Sequence, residues 1–312
     1  MLLGFSTPIP RSVPLNPLRD ALKLPAVVIR HRELLGAFVR RELRARIEGS
    51  LLGRVWPVVQ PALTFLIFYA IFGLVLGIQY SEDLAPHPPA GPGWRATFYL
   101  ITGILPWTAL ADSLGRGTGV VLENANLIKK IAFPSELLPL YQVVVFHVYF
   151  LIGFVILLGI ELLVNGSLPG TLAWFPAILV VQMMFITALT LLFSAANVFV
   201  RDVMQVVPIA LTFWMFSTPV FYDMNALGAR AEAMGATPVA GAGSDEIKYW
   251  MAEHMWMNPM ATLLDFYRSI FSYGRIDFPL ERLGGMFLLS AVLLYVCYAF
   301  FLRCKGRFAD EV

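Results

Sequence analysis

Charge is scarce in this chain. Asp, Glu, Lys and Arg make up 14% of its 312 residues, against 58% hydrophobic residues, and the mean hydropathy is +0.71. A soluble domain carries about 25% charged residues, so the composition excludes an ordinary water-soluble fold and points to a polytopic membrane protein. There are only two cysteines, Cys297 and Cys304. On one helix that spacing is too wide for a bridge, and no metal-ligand spacing surrounds them, so both read as packing residues. No G-x-x-x-x-G-K-[ST] run occurs. Gly115, Gly117 and Gly119 form only G-x-G-x-G, after an apolar run rather than a strand, which argues against nucleotide binding by this chain. A His/Cys cluster and a nucleophile elbow are also missing, and His147 reads as a hydrogen-bonded interior residue. The opening MLLGFSTPIPRSVPLNPL has no basic stretch followed by an apolar run, so it is not read as a cleaved signal. Its prolines predict an extended leader.

What the chain does have is long apolar runs. A bilayer core of about 30 Å takes about 20 apolar residues as a helix, and six stretches qualify or come near: Val55–Ser81, Ala96–Ala111, Leu137–Ile160, Leu172–Val200, Val203–Tyr222 and Leu283–Leu302. Pro57 and Pro61 fall at a helix start, where proline is tolerated. Gly103 and Pro106 predict a break or kink in the second stretch. Asn165-Gly166-Ser167 and Pro169-Gly170 mark a turn. The expected fold is therefore all-α, with six transmembrane helices over residues 55–302, a leader over 1–32, an amphipathic helix over 33–50, an outer loop and gate region at 223–281 and a tail over 303–312. If the N-terminus is cytoplasmic, the outer segments hold only Arg95, Arg230, Lys248, Arg268, Arg275 and Arg282 of the chain's 23 basic residues. The positive-inside bias places both termini in the cytoplasm.

The segments outside the spans carry the chemistry. Along Leu35–Glu48 the apolar residues Leu35, Val39, Leu43 and Ile47 recur every four positions, with Phe38 beside them. Arg40, Arg41 and Arg44 fall opposite, as in a helix lying at an anionic lipid surface. Glu42 and Arg46 interrupt the stripe as an i,i+4 pair that either closes on itself or faces a protein partner. The second inner loop, VLENANLIKKIAFPS, predicts a short helix over Asn124–Phe133. It begins in the polar Asn124 and Asn126, carries Lys129 and Lys130, and presents Leu127, Ile128 and Phe133 as an apolar knob suited to a groove on a soluble subunit. Ser135 is placed to cap the next helix. Between the last two spans, Asn258 as N-cap and Pro259 at the first helical position predict a helix over Met260–Ser272. It is too short to cross, so it is interfacial or re-entrant, and Asp265 and Arg268 can pair on it at i,i+3.

Five stretches in order, EGSLLGRVWPVVQPALTFLIFYAIFG, YLITGILPW, ENANLIKKIAFPSELLPL, ANVFVRDVMQVV with FSTPVFYD, and WMNPMATLLDFYRSIF, resemble the membrane subunit of the polysaccharide-export ABC transporters of the type-2 permease superfamily, which export O-antigen, capsule and teichoic acid. The resemblance implies a homodimer in the bacterial inner membrane with two cytoplasmic ATP-binding cassette subunits. It implies an interface helix at Leu34–Glu48, coupling at Asn124–Phe133 and at the Arg201-Asp202 turn, and an outer gate at Met260–Ser272. The cargo would be a lipid-linked polysaccharide. ATP would be bound and hydrolysed by the partner, with no cofactor, metal, nucleic acid or enzymatic step on this chain. The aromatic residues Phe65, Phe68, Tyr69 and Phe72, then Trp107, then Phe213, Trp214, Phe216, Phe221 and Tyr222, become candidates for a channel wall on which sugar rings slide. The same fold also serves exporters of drugs, haem or lipids. A membrane-embedded glycosyltransferase would need pocket carboxylates, and only Asp112, Glu161 and Asp202 lie next to spans. Reporter fusions after Tyr80, Asn165 and Gly241 are expected to read as outside, and those after Lys130 and Arg307 as inside; one reversed assignment overturns the topology.

Overall fold

The computed structural model describes residues 17–46, 48–49, 53–75, 92–130, 133–223, 257–271 and 280–311. Among these, all regular structure is helical. In chain order the helices are α1 (Pro17–Ala21), α2 (Leu24–Arg30), α3 (Arg32–Ala45), α4 (Trp56–Phe68, continuing as a π-helix over Tyr69–Val75), α5 (Pro92–Glu123), α6 (Ala125–Lys130), α7 (Leu137–Asn165), α8 (Phe175–Phe199), α9 (Val203–Ser217), α10 (Pro259–Phe271), α11 (Leu280–Lys305) and α12 (Phe308–Glu311). Four helical stretches are long and apolar enough to cross a membrane: Trp56–Val75, Leu137–Val164, Gly170–Phe199 and Leu280–Lys305. Of the other two expected spans, α5 is long but carries Asp112 and Arg116, and α9 is apolar with only 15 residues. The Ala/Gly-rich loop expected over Asn225–Ser244 and the first span beyond Val75 lie outside the described residues.

Of the break or kink expected at Gly103 and Pro106, no break is present. α5 runs unbroken for 32 residues, because α7, α8, α9 and α10 all pack around it and together outweigh the roughly 3 kcal/mol that an interior proline costs. α5 is thus the spine of the bundle. Its glycines serve packing: a Cβ on Gly117 would come within 2.2 Å of the Thr190 methyl of α8, so the G-x-G-x-G stretch is where two helices touch. The turn expected at Asn165-Gly166 is present, and Gly166 takes the left-handed conformation (φ 70°) that ends α7.

Two cores divide the length of the bundle. One, around Trp107, Phe150, Phe185 and Tyr267, fills the half near α10. The other, around Phe38, Leu137, Tyr141 and Phe301, fills the half near the arginine-rich α3, here termed the basic end. Residues 1–16, where the leader is expected to be extended, lie outside the described residues; from Pro17 onward the chain is helical, and Ala21 and Leu24 are buried, with α1 packed on α11. The apolar stripe of α3 faces protein: the Phe38 ring stacks on Tyr141 at 5.4 Å and meets Phe133 edge-on at 5.6 Å. The Ser135 hydroxyl does not cap α7 and makes no hydrogen bond. Glu136 beside it is buried and pairs with Lys305 at the end of α11 (2.5 Å). Beyond Lys305 the tail folds back, placing the buried Phe308 against Phe301 (5.2 Å) and Phe199 (6.3 Å) and α12 against α6 and α8.

Lys305→Met removes the cationic partner of the buried Glu136 carboxylate and leaves it the hydrogen bond to the Tyr298 side chain. It is expected to cost about 2 kcal/mol, discounted for the partial exposure of the lysine. The double variant Glu136→Gln/Lys305→Met should recover most of that loss in the thermal midpoint of purified protein; equal losses would refute the pairing as the cause.

Candidate functional site

The junction between α9 and α10 is a tightly built polar site among the described residues. α9 ends at Ser217, and the chain continues through Thr218, Pro219 and Val220 in non-helical form. Those carbonyls need partners, because irregular backbone at membrane depth is tolerated only where protein or water satisfies it. Arg268 of α10 supplies them: its Nη2 donates to the Pro219 carbonyl (2.5 Å) and the Val220 carbonyl (3.2 Å), and its guanidinium lies 3.7 Å from the Tyr99 ring centroid. Gly103 makes room, since a Cβ there would sit 2.8 Å from that same Nη2. The expected Asp265–Arg268 pair is replaced. Asp265 pairs with Arg282 of α11 at 3.4 Å, because Arg268 is turned toward the carbonyls. Burial pushes the Asp265 carboxyl above its ordinary range, and Arg282 and then Arg268 oppose that push.

Asn258 fulfils the expected cap and does more. Its Oδ1 accepts from the Met260 and Ala261 amides (3.1 and 3.4 Å) and from Trp214 Nε1 (3.1 Å), while its Nδ2 donates to the Thr218 hydroxyl (2.9 Å). Pro259 opens α10 as expected. α10 is not a loose surface helix. Met260, Leu263, Phe266 and Tyr267 are buried, and Tyr267 donates its hydroxyl to Gln182 of α8.

The aromatic candidates separate into two groups. Phe65 and Trp107 are closed off within the single chain, at 8% and 3% exposure. Trp214 is half-buried, edge-on to Trp107 (5.9 Å) and Phe185 (6.3 Å). Phe213 and Phe216 of α9 are open, at 75% and 62%. Phe68, Tyr69 and Phe72 are half-exposed around the start of the π-helix, and Phe221 and Tyr222 are half-exposed below α9. Tyr99 donates to the Tyr222 carbonyl at 2.9 Å, tying that segment to α5.

At the basic end, Glu42 and Arg46 do close on each other (3.3 Å), and the Arg46 guanidinium lies over Phe146 at 4.6 Å. The expected knob is shorter and less open than anticipated. Glu123 ends α5, Asn124 donates to the Val120 carbonyl (2.8 Å), and Leu127, Ile128 and Phe133 pack half-buried against the core of the basic end. Asn126 and Lys129 are exposed, as are Arg201 and Asp202 in the turn between α8 and α9; the Lys130 side chain lies outside the described residues. One residue escaped the sequence reading altogether. Asn197, near the end of α8, accepts from the Met204 amide (3.1 Å) and so caps the first turn of α9 across the turn. An Asn seven residues from its partner carries no local capping pattern. Among the described residues no group of His, Cys, Asp and Glu is arranged to hold a metal.

The chain is 28% identical over 291 residues to the O-antigen export system permease protein RfbA of Myxococcus xanthus, covering 93% of this chain and 100% of that protein. A protein of the same name from Klebsiella pneumoniae is 27% identical over 281 residues, covering 89% of this chain and 94% of its own length. Residues 33–236, more than half of the chain and including α3 through α9, match the family described as ABC-2 type transporter, and the chain belongs to that family.

Proposed function

We propose that this chain is the permease subunit of an ATP-driven exporter that moves a lipid-linked polysaccharide, of the O-antigen or capsule type, across the inner membrane. The observation that carries this reading is the similarity to O-antigen export permeases along nearly the whole of both chains. In this proposal α5 and α9 join the four long apolar helices as spans, α10 is re-entrant, and both termini are cytoplasmic. The basic end then faces the cytoplasm and an ATPase partner that binds and hydrolyses ATP.

The working unit is a homodimer with two such ATPases. α4 and α9 offer the apolar faces for the second copy, since Leu63, Leu66, Ile67 and Ile71 on one and Val206 and Ile209 on the other are exposed in the single chain. The exposed Phe213 and Phe216, with Phe68, Tyr69, Phe72, Phe221 and Tyr222, form the channel wall; Phe65, Trp107 and Trp214 back it. Flat aromatic faces suit a polymer because they stack on sugar rings without demanding one pattern of hydroxyls. Closure of the ATPases presses on Asn126, Lys129, Arg201 and Asp202. Leu127, Ile128 and Phe133 bind α6 to the inner core that also holds α3 and α7, so the push moves that end as a block. The unbroken α5 carries it to the junction of Arg268, Asn258 and Pro259 with α9, the outer gate.

Lys129→Glu with Arg201→Glu is expected to lower surface polysaccharide at least about tenfold while the chain still inserts at normal level, a loss of transport rather than of folding. Polymer must then accumulate inside the cell, measured by immunoblot of fractionated lipid-linked material. Deletion of the gene with no change in surface polysaccharide would overturn the cargo in favour of another exported substrate. Phe213→Ala/Phe216→Ala should slow polymer export several-fold without altering dimer formation, because each removes an exposed stacking face; unaffected export removes both from the channel.

A further inference from the structure

A second site lies away from the α9–α10 junction, in a cleft of about 400 Å³ enclosed by α4, α5 and α7 and closed at the basic end by Arg46. Its lining changes character along its length. Toward the basic end stand Arg46, Gln60, Thr64, Thr108, Asp112 and Tyr149; toward the bundle middle stand Phe65, Ile101, Leu105, Phe150 and Ile156. Gln60 and Thr64 share one face of α4, and Thr108 and Asp112 one face of α5, because each pair is four residues apart.

The polar groups are sorted by hydrogen-bonding sense. The Thr64 hydroxyl donates to the Gln60 carbonyl (3.0 Å) and the Thr108 hydroxyl to the Leu105 carbonyl (2.9 Å). Their protons are committed and their oxygens face a ligand as acceptors, as does the Asp112 carboxylate. Arg46 is the opposite pole: its Nε donates to Glu42 (3.3 Å), and its guanidinium is flattened over Phe146 (4.6 Å) and Tyr149 (5.7 Å). Its Nη groups make no hydrogen bond to described residues and suit a phosphate bidentately. A cleft with one cationic pole and one acceptor-rich anionic pole disfavours a polyanion and fits a headgroup that carries both signs. The apolar half beyond fits an acyl chain running toward the bilayer middle, and the volume lies in the range of small-molecule sites.

We propose that this cleft binds a zwitterionic phospholipid of the inner leaflet, with its phosphate on Arg46, its primary ammonium on Asp112, Thr108 and Thr64, and one acyl chain along Phe65 and Phe150. The proposal rests on the membrane placement given above and not on the exported cargo. A bound lipid here would fill the wedge between the interface helix and the first three spans, so the lipid becomes part of the coupling end of the molecule.

The test is native mass spectrometry of the purified full chain, made in cells lacking polysaccharide synthesis, and titrated with equal amounts of phosphatidylethanolamine and phosphatidylglycerol. The wild type is expected to retain phosphatidylethanolamine at least about tenfold over phosphatidylglycerol, which is about 1.4 kcal/mol. Asp112→Asn should bring that ratio close to one. Thr108→Val, which removes an acceptor at nearly constant volume, should lower it several-fold, and Arg46→Ala should reduce retention of both lipids. Unchanged gel-filtration profiles keep the variants comparable. Equal retention by the wild type, a preference for phosphatidylglycerol, or an unchanged ratio in both Asp112→Asn and Thr108→Val would overturn the proposal. Each of these outcomes leaves the export assays standing, so the two readings fail separately.

Discussion

A guanidinium buried against two peptide carbonyls holds the far half of this molecule together. Where α9 gives way to non-helical chain, the carbonyls of Pro219 and Val220 lose their helical partners, and Arg268 satisfies them from α10. Leaving such groups unpaired in a bilayer costs several kcal/mol each, so the position of α10 is dictated by backbone chemistry as much as by apolar packing. Three other choices follow from that one. Tyr99 provides an aromatic face for the cation, Gly103 has no side chain to collide with it, and Asp265 is left to pair with Arg282. Asn258 secures the other end of the same joint by capping α10 while holding Trp214 and Thr218 of the α9 segment.

The basic end is built on a different principle. There the joints are aromatic and ionic, and they bring together segments far apart in the chain: Phe38 of α3 with Tyr141 and Phe133, Glu136 with Lys305, Phe308 with Phe199 and Phe301. α6 is therefore not an isolated peg: it packs against α12, and Phe133 just beyond it meets Phe38 of α3. Between the two joints, α5 runs as one uninterrupted helix through Pro106, with α7, α8, α9 and α10 packed around it. The close approach at Gly117 and Thr190 fixes that helix against α8.

The two ends also differ in what they leave open. The channel candidates Phe213 and Phe216 look away from the single chain, and the cleft under Arg46 opens beside α4.

Much of this was legible in the residues alone. A helix satisfies its backbone within itself, so its position, its caps and its apolar face are written locally. That is why the long apolar runs, the Asn258-Pro259 start of α10, the Gly166 turn, the amphipathic face of α3 and the Glu42–Arg46 pair could all be read from spacing. Tertiary structure alone decided what each helix meets. Arg268 had an acidic neighbour at i,i+3 and took distant carbonyls instead; Asn197 capped a helix it does not belong to; Gly117, which gave no local sign of its partner, served a helix crossing; Phe308 looked like tail and became core; Pro106 looked like a break or kink and does not interrupt α5. Periodicity fixes which face of a helix is apolar, but the partner of a buried polar group depends on which segments the folded chain brings within about 3 Å of it, and no local pattern carries that distance.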